Sequence, residues 1–216
     1  MKFIELQKLY DKKKTLYGRN AYRHIPEVLK EAKVLHKKEF KGNNHERSWR
    51  IFMGRNLAKL IEYAITNKVK NMGLDIVSCN TLNRLEITTK SIKLGRVKRY
   101  LAIDYGEDNG CRLPDVDIVI FNPKNYETIA VLSVNVTLRE RVSPTDWERR
   151  LAADKFTEYV KVYFLSLYKI AASSKNNTSK HRKDLIESNL EDDYPVEKVK
   201  KLDKLILELQ VILLAN

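Results

Sequence analysis

The sequence predicts an α/β protein of the α+β type, in which a central mixed β-sheet is flanked by helices. Apolar residues recur at helical spacing towards both ends of the chain, whereas short runs of β-branched and aromatic residues occupy its middle. The 216 residues are 43% hydrophobic and 32% charged, which is typical of a folded domain with a substantial core. This composition excludes a disordered chain.

The first third of the chain is predicted to be helical. Residues 1–40 carry apolar residues near helical spacing among many lysines, and the turn-like cluster KGNNHERS follows over 41–48. Another helix is predicted over 47–67, where seven apolar residues repeat every three or four positions. These residues are Trp49, Phe52, Met53, Leu57, Leu60, Ile61 and Ala64.

Short strands are predicted in the middle of the chain. Residues 85–90 and 97–103 are rich in β-branched and aromatic residues, and a loop rich in Gly, Asn and Asp follows over 104–114. Two further strands, 115–123 and 128–137, are joined through a Pro-Lys-Asn turn. The sequence therefore predicts a sheet whose last two strands are neighbours along the chain.

Alternation of side chains assigns faces to these two strands. Asp115 and Asp117 share one face of the first strand, and Ser133 and Asn135 share one face of the second. We expect these polar faces to meet. The opposite, apolar faces hold Val116, Ile118 and Ile120 in the first strand and Ala130, Leu132, Val134 and Val136 in the second.

The C-terminal third is predicted to return to helix. Pro144 suits the first turn of a helix that Ser143 caps. Residues 157–170 are ambiguous between strand and helix, and their β-branched and aromatic content favours a strand. A final amphipathic helix spans 196–214, after a polar loop. Its apolar stripe is Val196, Val199, Leu202, Leu205, Ile206 and Leu209.

The net charge and the absence of export signals in the sequence predict an intracellular protein that binds polyanions. The net charge is +13, from 41 Lys and Arg against 28 Asp and Glu, and a field of that sign attracts nucleic acid. A Lys-rich solvated surface is the alternative. No apolar run approaches the roughly 20 residues of a membrane span, and the N-terminus lacks the apolar core of a secretory leader. Cys79 and Cys111 have no spaced partner, so we expect reduced thiols in the cytoplasm.

One ordered set of residues carries a chemical pattern: a Pro-Asp pair, a small residue two positions before an amide, a charged triplet and a later carboxylate. Its members are Pro114-Asp115, Ser133-Val134-Asn135, Arg139-Glu140-Arg141 and Glu148. This set resembles the core of the PD-(D/E)XK nucleases. In detail it is similar to the type II restriction endonucleases that read CCGG or its interrupted relatives, whose second motif is Ser-x-Lys. The resemblance covers roughly residues 46–150.

The resemblance implies a restriction-endonuclease-like fold and a division of the chain. We expect a single domain over 1–216. It would comprise an N-terminal helical part (1–45), a catalytic core (46–170) and a polar loop with the C-terminal helix (171–216). We expect a prokaryotic enzyme of a restriction-modification system that works as a homodimer, because palindromic sites mirror two-fold protein symmetry. Either the Trp49 helix or the C-terminal stripe would supply the dimer interface, or both are core.

The resemblance also implies the roles of the site residues. Asp115 and Glu148 would bind Mg²⁺, which prefers one or two carboxylates with waters and phosphate oxygens, and Ser133 would stand where other branches have a carboxylate. Arg139 and Arg141 would read guanines and Glu140 cytosines, on double-stranded DNA. Each assignment has a structural alternative, such as a strand cap for Asp115 or a surface ion pair for Glu148. The arginines could instead hold phosphates without reading sequence.

Asn135 departs from the family pattern, because it stands where the family has its catalytic Lys. An amide donates hydrogen bonds but brings no positive charge, and losing one preorganised group typically costs about 10²–10³ in rate. We therefore expect DNA binding with impaired cleavage. Two explanations are open: a deliberate Lys-to-Asn change that traps uncleaved DNA, which we favour, or a naturally silent protein.

The predicted helix over 47–67 offers further charged groups. Glu62, or Glu46, would supply the upstream carboxylate that this family often adds, although the position where it is most expected is Ala58. The basic residues of the same helix would contact phosphates or only water; they are Arg47, Arg50, Arg55 and Lys59. Two rival functions are a silent DNA-binding module and a basic RNA-binding protein, although no RNA-recognition strand motif is seen.

Overall fold

The computed structural model describes residues 1–85, 91–104, 111–113, 116–135, 160–166 and 202–214. The described elements alternate between helices and short strands, in the order helices, mixed strands, helix. They are α1 (Phe3–Tyr17), a 3-10 helix (Gly18–His24), α2 (Ile25–Glu39), α3 (His45–Asn71), β1 (Asp75–Ser78), α4 (Cys79–Asn83), α5 (Ser91–Leu101), β2 (Ile103–Asp104), β3 (Cys111–Arg112), β4 (Ile118–Phe121), β5 (Thr128–Asn135), β6 (Lys161–Ser166) and α6 (Leu202–Leu214).

The helical N-terminal third is confirmed. Gly18 ends α1 with a φ of +53°, which favours glycine, and the chain turns through the 3-10 helix into α2, whose first turn holds Pro26. The Asn44 side chain caps α3 by accepting a hydrogen bond from the backbone N–H of Arg47 at 2.9 Å. This cap begins α3 inside the predicted turn cluster, and the helix extends four residues beyond the predicted end at Asn67.

The central sheet is mixed, as predicted, with the strand order β1-β4-β5-β6. The pairs β1–β4 and β4–β5 are antiparallel, whereas β5 and β6 run parallel. The strand favoured within 157–170 is therefore confirmed as β6. Every residue of β4 is buried, because this strand has a neighbour on each side and is covered on both faces.

One predicted strand is wrong: residues 97–103 contribute mostly to helix α5, and only Ile103 lies in a strand. Leu94, Val97 and Leu101 repeat at helical spacing and pack against the sheet, while the intervening Lys and Arg face water. A short run rich in Val, Tyr and Leu does not distinguish strand from helix by composition. The predicted loop over 104–114 also contributes to a two-residue pairing between β2 and β3.

The face assignment of the first sheet strand needs a correction at its start. Ile118 and Ile120 pack on one face, as predicted, but Val116 packs on the opposite side with Val119 and Phe121. The strand begins only at Ile118, and Asp117 lies in a bend. Because alternation holds only within a regular strand, it does not extend back to Val116.

Two apolar cores cover the two faces of the sheet. Helices α1, α2, α3 and α6 pack on the face of Ile118, Ile120 and Leu132, and α4 and α5 pack on the face of Val119 and Val131. Trp49 is 3% exposed and lies within the first core, so its stripe does not form a free interface. The buried stripe residues of α6 belong to the same core; they are Leu205, Ile206 and Leu209. Cys79 is a buried thiol outside any disulfide among the described residues.

Two histidines meet between α2 and α3. The rings of His36 and His45 lie 5.0 Å apart, and Trp49 packs against His36 at 5.6 Å. His36 is buried, and its Nε2 lies 3.3 Å from the Ser48 hydroxyl. Burial lowers the pKa of His36, and the charges of His45 and of the N-terminal ammonium lower it further. The α2–α3 contact is therefore built around a neutral imidazole.

Several predictions fall outside the described residues. They are residues 86–90 of the strand predicted over 85–90, whose described residue Leu85 lies outside any strand, and the helix that follows Ser143. In the described part of the chain, α6 bears out the C-terminal helix from Leu202 onwards. Its Glu208 interacts with the hydroxyl of Tyr163 in β6, and burial together with this carboxylate raises the pKa of Tyr163. Within the residues described, no helix combines the length and apolar character needed to cross a membrane.

Candidate active site

Asp117 fixes the end of the sheet where β4 begins. Its carboxylate Oδ2 accepts a hydrogen bond from the backbone N–H of Val134 at 2.7 Å. Its backbone N–H donates to the Leu132 carbonyl, and its own carbonyl accepts from the N–H of Cys79, each at 2.9 Å. The side chain thus continues the β4–β5 ladder past the last regular pair. Asp117 was expected on a polar face, but its carboxylate lies towards the backbone of β5.

Ser133 lies beside this contact, between the two β5 residues that bind Asp117. It is 3% exposed and stands in register with Phe164 of β6. By alternation it shares the face of Val131, which packs against α4 and α5. Asn135 is the last residue of β5 and pairs with Ser166; its side chain lies outside the described atoms. The structure therefore brings Ser133 and Asp117 to one end of the sheet.

Glu62 approaches the same end from α3. The backbone N–H of Ser78, the last residue of β1, faces its carboxylate and lowers the pKa of Glu62. The next residue, Cys79, donates its N–H to Asp117. Glu62 and Asp117 therefore contact adjacent residues of the chain. Burial raises the pKa of Glu62, and the Ser78 hydrogen bond offsets only part of this effect.

Glu46, the other upstream carboxylate considered, lies far from this group along α3. It forms an ion pair with Lys33 at 2.9 Å, which is the main cause of its lowered pKa. The sixteen residues that separate it from Glu62 correspond to about 24 Å of helix. Of the two candidates, Glu62 is the one at the end of the sheet.

The remaining predicted site residues lie outside the described part of the chain. They are Asp115, Arg139, Glu140, Arg141 and Glu148. Along the chain, Asp115 precedes Asp117 by two residues, and Arg139 follows the end of β5 by four. Among the residues that the structure describes, no three His, Cys, Asp or Glu side chains are grouped as a metal site. The predicted magnesium ligands stay a prediction.

The role of Asp117 was missed by sequence reasoning. The stretch PDVDIVIF places two acids before an apolar strand, so a second carboxylate at the strand entrance was visible. Its bond to a backbone N–H was not visible, because that bond depends on where β4 begins. The approach of Glu62 to Ser78 depends in the same way on how α3 crosses β1.

The mixed sheet and its flanking helices define a restriction-endonuclease-like α+β fold. A family model places the chain more narrowly, because it matches residues 93–210, more than half of the sequence. The chain belongs to the family of BsaWI restriction endonuclease type 2. The matched range includes the whole predicted motif set from Asp115 to Glu148, and it excludes Glu62.

Two curated relatives are similar to this chain. "Putative type II restriction enzyme MjaVIP" of Methanocaldococcus jannaschii is 27% identical over 219 residues, which cover 95% of this chain and 92% of the relative. "Probable type II restriction enzyme HpyAORF263P" of Helicobacter pylori is 32% identical over 120 residues, which cover 53% of this chain and 57% of the relative. No solved structure matches the chain.

Proposed function

We propose that this chain is a type II restriction endonuclease that hydrolyses phosphodiester bonds of double-stranded DNA at a short, GC-containing palindromic site. The observation that carries the proposal is the family match over residues 93–210, the range that holds Asp115, Ser133, Asn135 and Glu148. The names of both relatives, one of which aligns along nearly the full chain, support the same class.

Mg²⁺ is the proposed cofactor, with Asp115 and Glu148 as its protein ligands. Such hard oxygen donors suit Mg²⁺, which keeps several waters and leaves room for a phosphate oxygen. When bound, the ion polarises the phosphate and lowers the pKa of an attacking water. The fixed backbone of Asp117 supports this assignment, because it anchors the chain two residues after Asp115 at the end of the sheet.

Three further groups of the chain act around the scissile phosphate. Glu62, with its raised pKa, can accept a proton from water closer to neutral pH than an ordinary Glu. Ser133 is small and leaves the space in which other nucleases place a carboxylate. Asn135 donates an amide hydrogen bond to water or phosphate but leaves developing negative charge uncompensated, so cleavage is slow.

The Arg-Glu-Arg triplet recognises the DNA bases, and the protein binds its site as a dimer. Arg139 and Arg141 bind guanine O6 and N7, and Glu140 accepts from cytosine N4. Two copies bind one palindrome, so that each strand meets one site. The protein acts inside a prokaryotic cell, where it meets DNA that has entered that cell.

Asn135 favours a second candidate function, a catalytically silent protein that binds DNA on the same fold. It shares every feature of the first candidate except turnover. The two differ in one respect: an endonuclease that lacks only its Lys regains cleavage when Lys is supplied, whereas a silent protein has lost other parts as well.

The test compares this chain with Asn135→Lys on a plasmid of known sequence, in Mg²⁺ and in EDTA. Discrete Mg²⁺-dependent fragments, made at least about 10²-fold faster by the variant, are expected. Their ends give the recognition site. Asn135→Gln serves as a control for the longer side chain, and Asn135→Lys/Asp115→Asn serves as a control for contaminating nuclease. Retained duplex binding without cutting by either chain would leave the silent protein as the function.

A further inference from the structure

An unpaired basic surface lies on the N-terminal half of α3. Arg47, Arg50 and Arg55, which we name the α3 basic strip, are all exposed. Within the part of the chain that the structure describes, none of them has a carboxylate within ion-pair distance. Their charges are therefore available to a partner.

The acid closest in sequence does not neutralise this strip. The Arg50 charge contributes to the lowered pKa of Glu46, but the two carboxylate oxygens of Glu46 are held by Lys33 at 2.9 and 3.0 Å. The pair Lys33–Glu46 is already balanced, so among the described residues the three arginines leave an excess of positive charge around the N-terminal half of α3.

The strip approaches the candidate active site through Arg55, whereas Arg50, five residues earlier, lies about 140° around the helix from Arg55. Arg55 precedes Glu62 by seven residues, which is two turns, so the two side chains share a face about 10 Å apart. Arg47 and Arg55 lie about 12 Å apart along the axis, the rise of about three phosphates of one DNA strand. Between Arg50 and Arg55 lies Gly54, where an added side chain would meet no atom within 4 Å, so a backbone can approach closely.

A cavity of about 600 Å³ beside the strip adds further cations. It lies between the start of α1, the end of α2 and α3, and Arg55 lines it together with Lys2 and Lys41. Lys2 and Lys41 are exposed. One carboxylate in the cavity, Glu39, is held by the N-terminal ammonium at 3.0 Å. The basic surface therefore continues from α3 across the cavity rim.

We propose that the α3 basic strip binds the phosphate backbone of duplex DNA that flanks the cleavage site, independently of base sequence. This inference rests on the proposed function, and charge complementarity and the distance to Glu62 carry it. Guanidinium groups suit the role because their planar fork donates two hydrogen bonds to one phosphate. The strip holds the register of the duplex, while the segment after β5 reads the bases.

The test measures binding of labelled duplexes in EDTA over a series of NaCl concentrations. For Arg50→Ala/Arg55→Ala, the slope of log K against log salt should fall by about 1.8, because each phosphate contact contributes about 0.9. Binding at low salt should weaken by about tenfold or more, equally on duplexes of unrelated sequence. Arg50→Lys/Arg55→Lys, which keeps the charge, should retain most of the slope.

The matched control is Lys30→Ala/Lys37→Ala, which removes the same charge from the exposed side of α2. An equal loss of slope in both double variants, or no loss in either, would overturn the proposal that the α3 basic strip binds DNA. The net charge of the whole protein would then explain the binding. A parent chain that binds no duplex at any salt would overturn the proposed function as well. Thermal unfolding of each variant verifies folding, and Arg50→Gln/Arg55→Gln, which also removes both charges but keeps a longer side chain, replaces the Ala variant if that variant is unstable.

Discussion

Asp117 does with its side chain what a strand residue ordinarily does with its backbone. The ladder between β4 and β5 needs a partner for the N–H of Val134, and the Asp117 carboxylate supplies it at 2.7 Å. A buried N–H without a partner is costly, and a bond to a charged acceptor is stronger than a neutral one. This carboxylate therefore holds the segment that contains Ser133.

Asp117→Ala should lower the free energy of unfolding by about 1–3 kcal/mol, because Val134 loses its acceptor. Asp117→Asn should lose less, since an amide oxygen still accepts the bond. Denaturant titration at constant pH measures both variants. Equal stability of the Ala variant and the parent would show that the bond does not hold the end of the sheet.

Glu62 is a partly buried carboxylate. Its replacement should therefore raise the stability of the folded protein and lower the rate of cleavage. Its pKa is raised on folding, so its ionisation opposes the folded state as pH rises through that pKa. Glu62→Gln should therefore unfold at a higher temperature than the parent at neutral pH. On the Asn135→Lys background it should lower the cleavage rate by about 10²-fold, because a proton acceptor is lost.

The comparison for Glu62 is Glu31→Gln, on the exposed side of α2, where the carboxylate pairs with Lys13. That variant should leave cleavage unchanged. A Glu62→Gln enzyme that cleaves as fast as its background would exclude Glu62 from the chemistry, whatever its melting temperature.

At the scale of elements, the sequence predicts long periodic segments well and short ones poorly. The helix with Trp49 and the strands around Ile118 and Leu132 were predicted because several residues repeat at one spacing. Helix α5 was missed because its core contacts are few, and its Val and Tyr are also typical of strands. Polar contacts of the site, such as Glu62 with Ser78, depend on how elements cross, which periodicity does not contain.

The contact of α2 with α3 should depend on pH through His36. Its pKa is lowered in the folded state, so the unfolded chain binds more protons below about 6.5. Stability is therefore full above that pH and falls as pH decreases towards the folded-state pKa. The slope contributed by this one group is at most about 1.4 kcal/mol per pH unit.

His36→Gln removes the titrating group and should flatten the dependence of unfolding free energy on pH between about 7 and 5. The charges of His45, Glu39 and the N-terminal amine also act on His36, so the parent serves as the reference at every pH. His24→Gln is the control, since that imidazole stacks on Tyr17 outside the α2–α3 contact. A slope unchanged in His36→Gln would mean that His36 is solvated in the folded protein.

At the scale of the whole molecule, the excess of 13 positive charges favours any polyanion, and the two-fold symmetry of the proposed site sets the assembly. We expect two copies on one duplex. Light scattering of the complex with a single-site duplex should give twice the mass of one chain plus the DNA. A complex with a single chain would mean that the two strands are not engaged together.

The parallel pairing of β5 with β6 has a consequence for how such enzymes diversify. Parallel neighbours require a long connection, and here it starts at Asn135 and returns at Lys161. The Arg-Glu-Arg triplet lies within this excursion, whose two ends are held by adjacent strands of one sheet. On the proposed reading of bases by this triplet, the residues that set specificity are separate from the strands that build the sheet. A graft of residues 136–146 from a relative, which leaves Glu148 in place, should transfer the target preference of that relative.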